Sequence, residues 1–583
     1  MSKATARKSP SAAAPTTHGR LAAALDLIDS SELGSLGSMS ATDYPLGREP
    51  FGKRPSSEQA NYQVGSCSTH LVVLDPVGPG CRAPADLHVA GLGLLEYGSF
   101  GQAHVRAPGT LSARRSREGT VSALGTQKAP PPSAMLHDLS ATSGERRGAG
   151  KAARDRARRV ELGQWREDER GHNALQTILA QNEIRVPELV PIRHQRMAAS
   201  PWNYYRGAAA VMAADLASKP DSGLTVQLCG DAHVLNFGLW ATPERNLMFD
   251  LRDFDETLPG PFEWDVKRLA ASLVVLAREN GLKQRRADDA VAAAVEAYRQ
   301  RIRRYARMPE LDIWYDGIHV DNLIGYYEPA DRGQISVHIE KQKKKRTSRG
   351  AFAKLAAMTH GRPRITEDPP LRVAIDDGEQ DDLIDHLLAD YRLTLQEDRR
   401  SLFDRFTPVD AVRQVVGVGS VGMRVYLVLF EGRTGADPLF LQVKQAGPSV
   451  YEAHARPSLH GHHGARVING KRLVQSATDI FVGWGSLHGR DYYVRQFRDM
   501  KIIPTTTFMT PRLAEFATAC GETLARSHAR TGDPMAIDSY IGKCPKFVTA
   551  IRQFAHQYAD QNQRDHTQLV AAIAAGRVES LPG

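Results

Sequence analysis

Two short stretches of this sequence combine residue types that could do chemistry together. The first is Gly230-Asp231-Ala232-His233-Val234-Leu235-Asn236, with an acid five residues before an asparagine. The second is Phe249-Asp250-Leu251-Arg252-Asp253-Phe254-Asp255-Glu256. Metal-assisted phosphoryl transfer needs one carboxylate to orient or deprotonate the acceptor hydroxyl. It also needs an amide oxygen and a second carboxylate to hold Mg2+ on the nucleotide phosphates, because magnesium is a hard cation that takes oxygen ligands. Asp-x4-Asn alone is common by chance, and a following D-F-D at a strand end makes it informative. The bland alternative is a set of acids that cap turns and helices.

A third stretch, Gly417-Val418-Gly419-Ser420-Val421-Gly422, is followed by the strand-like MRVYLVLF rather than by a helix. A dinucleotide fingerprint requires strand–turn–helix, so that reading loses. Strand–glycine loop–strand is how protein kinases cover ATP phosphates, with glycines letting backbone N–H groups approach closely. That pattern demands a lysine on the third strand, and PLFLQVKQA supplies Lys444. Glu452 is the nearest acid to pair with it, against the plainer readings of an edge-strand lysine and a surface acid. There is no Walker A sequence. Asp231 and Asn236 precede Gly417 by about 180 residues, the reverse of the order in ordinary kinases, so one shared site implies a circularly permuted chain.

Other residues have weaker claims. His454, His460, His462 and His463 are spaced irregularly among Pro and Gly, which suits a loop better than a zinc site. His233 suits a phosphate contact or a hydrogen-bonded loop. Arg206 suits an anion contact or a brace for the catalytic loop. Arg495, Asp499 and Lys501 suit a pocket lining or a surface ion-pair set. The basic runs at 145–160 and 341–349 raise a nucleic-acid alternative, but no aromatics interleave with the charges for base stacking, so nucleic acid is an unlikely partner.

The elements that must position these residues follow from periodicity. SPWNYYRGAAAVMAADLAS reads as one helix capped by Ser200, and TVQLCGDAH as a strand entering a loop. FGLW-ATPERN-LMFDL reads as a hairpin, and DVKRLAASLVVLAREN and ADDAVAAAVEAYRQRIRRY as amphipathic helices. After residue 410 the period becomes strand-like in five runs, and PRLAEFATACGETLARSHAR returns to helix. The expected fold class is α+β: a helical catalytic-loop lobe (151–408), a β-rich Gly-loop and Lys lobe (409–505), and C-terminal helices (506–583). Residues 1–150 read as disordered or weakly folded, and a misassigned start would have the same composition. Across 583 residues, 75 Lys and Arg against 66 Asp and Glu leave a mild +9, no nucleic-acid coat. Without an eighteen-residue apolar run or a signal-peptide pattern, and with five cysteines that never form C-x-x-C, a reduced cytoplasmic protein is expected.

RMAASPWNYYRGAAAVMAADLA, VQLCGDAHVLNFG, FDLRDFDETLPGPFEWDVKRLAAS, VGVGSVGMRVYL, LQVKQAGPSV and ARSHARTGDP together resemble the bacterial domain-of-unknown-function family 2252, over about residues 150–575. The GDAH-to-DFDE stretch also resembles the aminoglycoside-phosphotransferase branch of the protein-kinase-like superfamily. That resemblance implies a two-lobed kinase-like fold, a phosphotransferase activity using ATP and Mg2+, and a small-molecule or protein acceptor. It implies Asp231 as base, Asn236 as metal ligand and Asp253 as the principal metal carboxylate. Asp250 is the rival, since its 14-residue separation from Asn236 is nearer the usual spacing than the 17 of Asp253. Gly417, Gly419, Ser420, Gly422, Lys444 and Glu452 would serve the nucleotide, and Asp265 would brace the catalytic loop. Cys229 departs from the pattern at a position where the phosphotransferases often carry His. A non-catalytic nucleotide-binding or interaction protein of the same fold is the alternative.

Overall fold

The computed structural model describes residues 140–434, 437–498 and 500–581. The expectation of disorder over 1–150 therefore lies mostly outside the described residues, but its last part is corrected. Ser143–Arg156 is a helix, α1, opened by a capping box in which Thr142 and Glu145 satisfy each other's backbone N–H groups. The basic run is built into the fold. Arg154 donates to the carbonyls of Ser539 and Tyr540, and Arg159 donates to that of Ile541 at 2.8 Å. Those carbonyls end a later helix, where unpaired C=O groups favour cations.

The helix expected over 201–217 is broken. Ala208 leaves helical geometry between α2 (Pro201–Gly207) and the helix Ala209–Ala217, and Ser200 caps α2 by accepting from Asn203 N. Strand β1 (Thr225–Leu228) is followed by the hairpin β2 (Phe237–Ala241) and β3 (Leu247–Leu251), then by β4 (Leu258–Pro261). Helix α3 (Phe262–Glu279) is buried on all sides from Phe262 to Ala277 and forms the middle of the largest core. Helices α4 (Gln284–Tyr305) and, later, α7 (Leu513–Thr531), α8 (Pro534–Ile541) and α9 (Lys546–Ala574) pack around it. Gly521 of α7 sits against Ala294 of α4 so closely that an added Cβ would lie 2.0 Å from the Ala294 carbonyl oxygen. In the basic run at 341–349, Lys343–Lys345 form the last turn of α5 (Pro329–Lys345).

Six later strands build one antiparallel sheet. They are β5 (Arg372–Ala374), β6 (Thr407–Gln414), β7 (Val425–Glu431), β8 (Pro438–Ala446), β9 (Gly483–Leu487) and β10 (Arg490–Gln496), ordered β9-β10-β8-β7-β6-β5. Each of the five runs expected after residue 410 contains a strand, though VRQVVGVGSVG is strand only as far as Gln414 and DIFVGWGS only from Gly483, and β5 adds an edge that periodicity did not reveal. Helix α6 (His463–Val474) lies between β8 and β9 in the chain. A second core, with Tyr391, Phe403, Phe430 and Val494 among its members, packs one face of this sheet. Among the described residues no helix is long and apolar enough to cross a membrane.

Candidate active site

The two acidic stretches meet because β1 and β4 pair antiparallel with Leu228 opposite Leu258. The chain leaving β1 and the chain entering β4 therefore run side by side. At Gly230 this closeness needs glycine twice over: its φ is +87°, and an added Cβ would lie 2.3 Å from the Glu256 carbonyl oxygen. Asp265, in the first turn of α3, accepts from Cys229 N at 2.8 Å and Gly230 N at 3.1 Å. Tyr451 donates to the Gly230 carbonyl at 2.9 Å, and Ser272 accepts from Val234 N at 2.9 Å. The bracing role expected of Asp265 is thus visible as two buried backbone hydrogen bonds.

Within this frame Asp231 receives Arg268 Nε of α3 at 2.9 Å on Oδ1, while its Oδ2 lies 3.7 Å from His233 Nε2. Burial pushes the Asp231 carboxyl above the ordinary range against the pull of Arg268, and nearby Asp253 adds to the rise. Asn236 donates Nδ2 to the Asp231 carbonyl at 2.6 Å, which turns its amide oxygen away from that bond.

Asp250 and Asp253 differ sharply. Asp250 is fully buried, with Oδ1 accepting from Leu251 N and from Arg526, and Oδ2 accepting from Ser476 N and Oγ. Asp253 keeps a buried Oδ1 with no hydrogen-bond partner. Burial alone would raise its pKa, but Lys444, Arg495, Arg252 and Lys501 outweigh that and hold it well below the usual carboxylate range. A charged carboxylate with an unpaired buried oxygen is the donor chemistry that suits a hard cation.

The glycine loop joins β6 to β7, and Lys444 of β8 stands directly opposite Val425, just past the loop's end. Gly417 and Gly422 have φ of +66° and +89°. The loop's carbonyls are tied down: Gly417 O accepts from Arg196 at 2.6 Å, Gly422 O from Val186 N at 2.8 Å, and Val421 O from Arg185. Gly419 passes close over α2, where an added Cβ would lie 3.2 Å from the Arg206 carbonyl oxygen.

The expected Lys444–Glu452 pair is corrected. Lys444 pairs with Asp255, which also accepts from Tyr493 OH at 2.7 Å. Glu452 instead accepts from Ser449 N and faces Arg466 at 3.6 Å. The partner acid comes from the chain just before β4, not from the segment after β8. Asp255 stood in the D-F-D-E run, yet nothing in its spacing marked it as the lysine's partner. The histidine cluster also has local work, since His462 caps α6 and bonds Ser486 Oγ at 3.1 Å.

A cavity of about 560 Å³ opens between these parts. Gly417, Ser420, Lys444 and Asp253 line it, whereas Asp231, Asn236, Asp250, Glu452, Gly419 and Gly422 do not. Arg206 of α2, Arg252 and Arg346 contribute positive charge to its wall. So do Lys471 of α6, Arg495 of β10, and Arg498 and Lys501 beyond it, against the two acids Asp253 and Asp479. Asp499 lies outside the described residues. Lys471, Asp479, Gln442 and the tryptophans Trp202 and Trp240 are lining residues that motif reasoning missed, because each sits inside an ordinary helix, strand or turn pattern.

The profile of a family described as an uncharacterized protein conserved in bacteria (DUF2252) matches residues 185–572. The chain belongs to this family. No curated protein and no solved structure matches it. The DUF2252 match spans both acidic stretches, the glycine loop and Lys444, so every wall of the cavity lies within it.

Proposed function

We propose that this DUF2252 protein is a kinase-like phosphotransferase that uses ATP and Mg2+, with the order of its two lobes permuted in the chain. One observation carries the reading: a glycine-loop hairpin, a buried lysine ion-paired across 189 positions, and an unpaired carboxylate oxygen border one cationic cavity. The cavity's size is ordinary for a small-molecule site, and its charge suits polyphosphate.

On this reading Gly417 and Ser420 lie along the phosphates and Lys444 neutralises them, held in place by Asp255. Asp253, with Asn236, would hold Mg2+, which would supply neutralisation of the negative charge on the phosphates. Asp253 is favoured over Asp250, whose oxygens are already occupied. The acceptor hydroxyl oxygen forms a bond to the terminal phosphorus as the bridging P–O bond breaks. The electron pair leaves with ADP, and the hydroxyl proton passes to Asp231. The raised pKa of Asp231 suits a proton acceptor. Positioning and charge neutralisation supply the catalysis.

The test is binding followed by turnover. Mg-ATP should raise the melting temperature of the wild type, and Asp253→Ala should abolish the magnesium-dependent part of the rise. Asp231→Asn should retain the shift and lose ATP turnover with a panel of hydroxyl acceptors. No Mg-ATP shift in the wild type rejects the reading. A shift without turnover favours a non-catalytic nucleotide binder.

A further inference from the structure

The cations around the cavity are not alike. Lys444 is paired with Asp255, Lys471 faces Asp479 at 3.7 Å, and Arg495 gives Nε and Nη2 to Gln442. Among the described residues Arg206 has no such partner. Its Nε is buried without an acceptor, and its one side-chain bond is a long 3.5 Å contact from Nη1 to Asn203. Its charge is felt by both Asp231 and His233, and Asp253 acts on it in turn. Its own backbone lies directly beneath Gly419. Arg206 therefore lines the cavity together with Gly417, Ser420 and Asp253, with its own backbone against the glycine loop. Arg206 is half-buried, and a guanidinium N–H withdrawn from water without an acceptor is costly unless an anion completes it.

We propose that Arg206 is a catalytic residue that donates to the oxygens of the phosphoryl group in transfer, an arginine supplied from within the same chain. The proposal rests on the phosphotransferase reading above. During transfer the terminal phosphoryl moves from ADP's bridging oxygen to the acceptor oxygen, and charge spreads over its three remaining oxygens. A planar fork of donors matches those oxygens better than a point charge does. Arg206 takes no proton in this step, since the hydroxyl proton goes to Asp231.

The experiment needs no knowledge of the acceptor. Mg-ADP affinity is measured with and without aluminium fluoride, a mimic of the phosphoryl in flight, for the wild type, Arg206→Gln and Arg206→Lys. The expected result is at least tenfold tightening by fluoride in the wild type and none in Arg206→Gln, whose affinity for Mg-ADP alone stays within threefold. Arg206→Lys should recover only part of the tightening. Full tightening in Arg206→Gln overturns the proposal. Equal loss of affinity with and without fluoride also overturns it, because that marks Arg206 as a brace. Wild type that binds Mg-ADP without fluoride tightening overturns it while leaving the nucleotide site intact. Wild type that binds no Mg-ADP brings down the nucleotide reading itself.

Discussion

The loop after β1 and the glycine loop after β6 each send part of their length to the cavity wall, Leu235 from the first and Gly417 and Ser420 from the second, but they are held in opposite ways. Around Asp231 the backbone is fixed by buried side chains: Asp265, Tyr451 and Ser272 each bond it, Arg268 holds the Asp231 carboxylate, and Gly230 has no room for a methyl group. Around Gly417 the loop hangs between two strands, held mainly by arginines reaching its carbonyls, and a Cβ added at Gly417 itself would meet nothing. The contrast separates two tasks. On the phosphotransferase reading, the first loop must hold a proton acceptor in one geometry, whereas the second, as a cover for phosphates, must admit and release its ligand.

The largest effect should come from removing the buttress of the first loop. Asp265→Ala leaves two buried N–H groups without acceptors, and a loss of about 3 kcal/mol is expected from urea unfolding. A loss below about 1 kcal/mol would show that the other braces suffice and would erase much of the contrast.

Glycine replacements compare the loops directly. Gly230→Ala combines a left-handed φ with a 2.3 Å clash against backbone and should cost about 2 kcal/mol or more. Gly417→Ala has the same kind of φ with open space and should cost about 1 kcal/mol. Equal costs by chemical denaturation would contradict the comparison.

Glu256 sharpens it through pH. Burial pushes its carboxyl up to about 7, above the ordinary value it has when unfolded. As pH rises from the ordinary carboxylate range towards 7, the unfolded chain releases a proton that the folded chain retains. Stability therefore falls across that window and levels off above it. Glu256→Gln removes this dependence, so its melting temperature should exceed that of the wild type at pH 8 by more than at pH 5. The same difference at both pH values would show that Glu256 is ionised in the folded state throughout.

The smallest effect concerns the glycine loop's tether. Arg196→Ala frees the Gly417 carbonyl and should weaken Mg-ATP binding by about 1 kcal/mol, roughly fivefold, with little change in unfolding. A large stability loss instead would place the glycine loop among the rigid parts.

Much of the local structure was legible in the chain. The alternation of apolar residues in VYLVLF and PLFLQV marked strands, the spacing along DVKRLAASLVVLAREN marked a helix, and Ser200 before Pro201 marked a helix start. These are short-range consequences of side-chain period and capping, which neighbouring residues decide. The break at Ala208 was not legible, because alanines on both sides favour helix and only packing interrupts them. The anchoring of the basic run at 145–160 was not legible, because its acceptors are carbonyls almost 400 positions away.

By itself, then, the sequence determined the acidic stretches, the glycine loop, the lysine strand and the family to which the chain belongs. Their types and spacing survive in one dimension. Only the tertiary structure decided that Lys444 pairs with Asp255 and not Glu452, and that Asp250 is locked to Arg526 while Asp253 keeps an unpaired oxygen. Three residues of separation cannot distinguish those two aspartates. What distinguishes them is which distant donors the folded chain brings to each, and that depends on contacts between segments hundreds of residues apart.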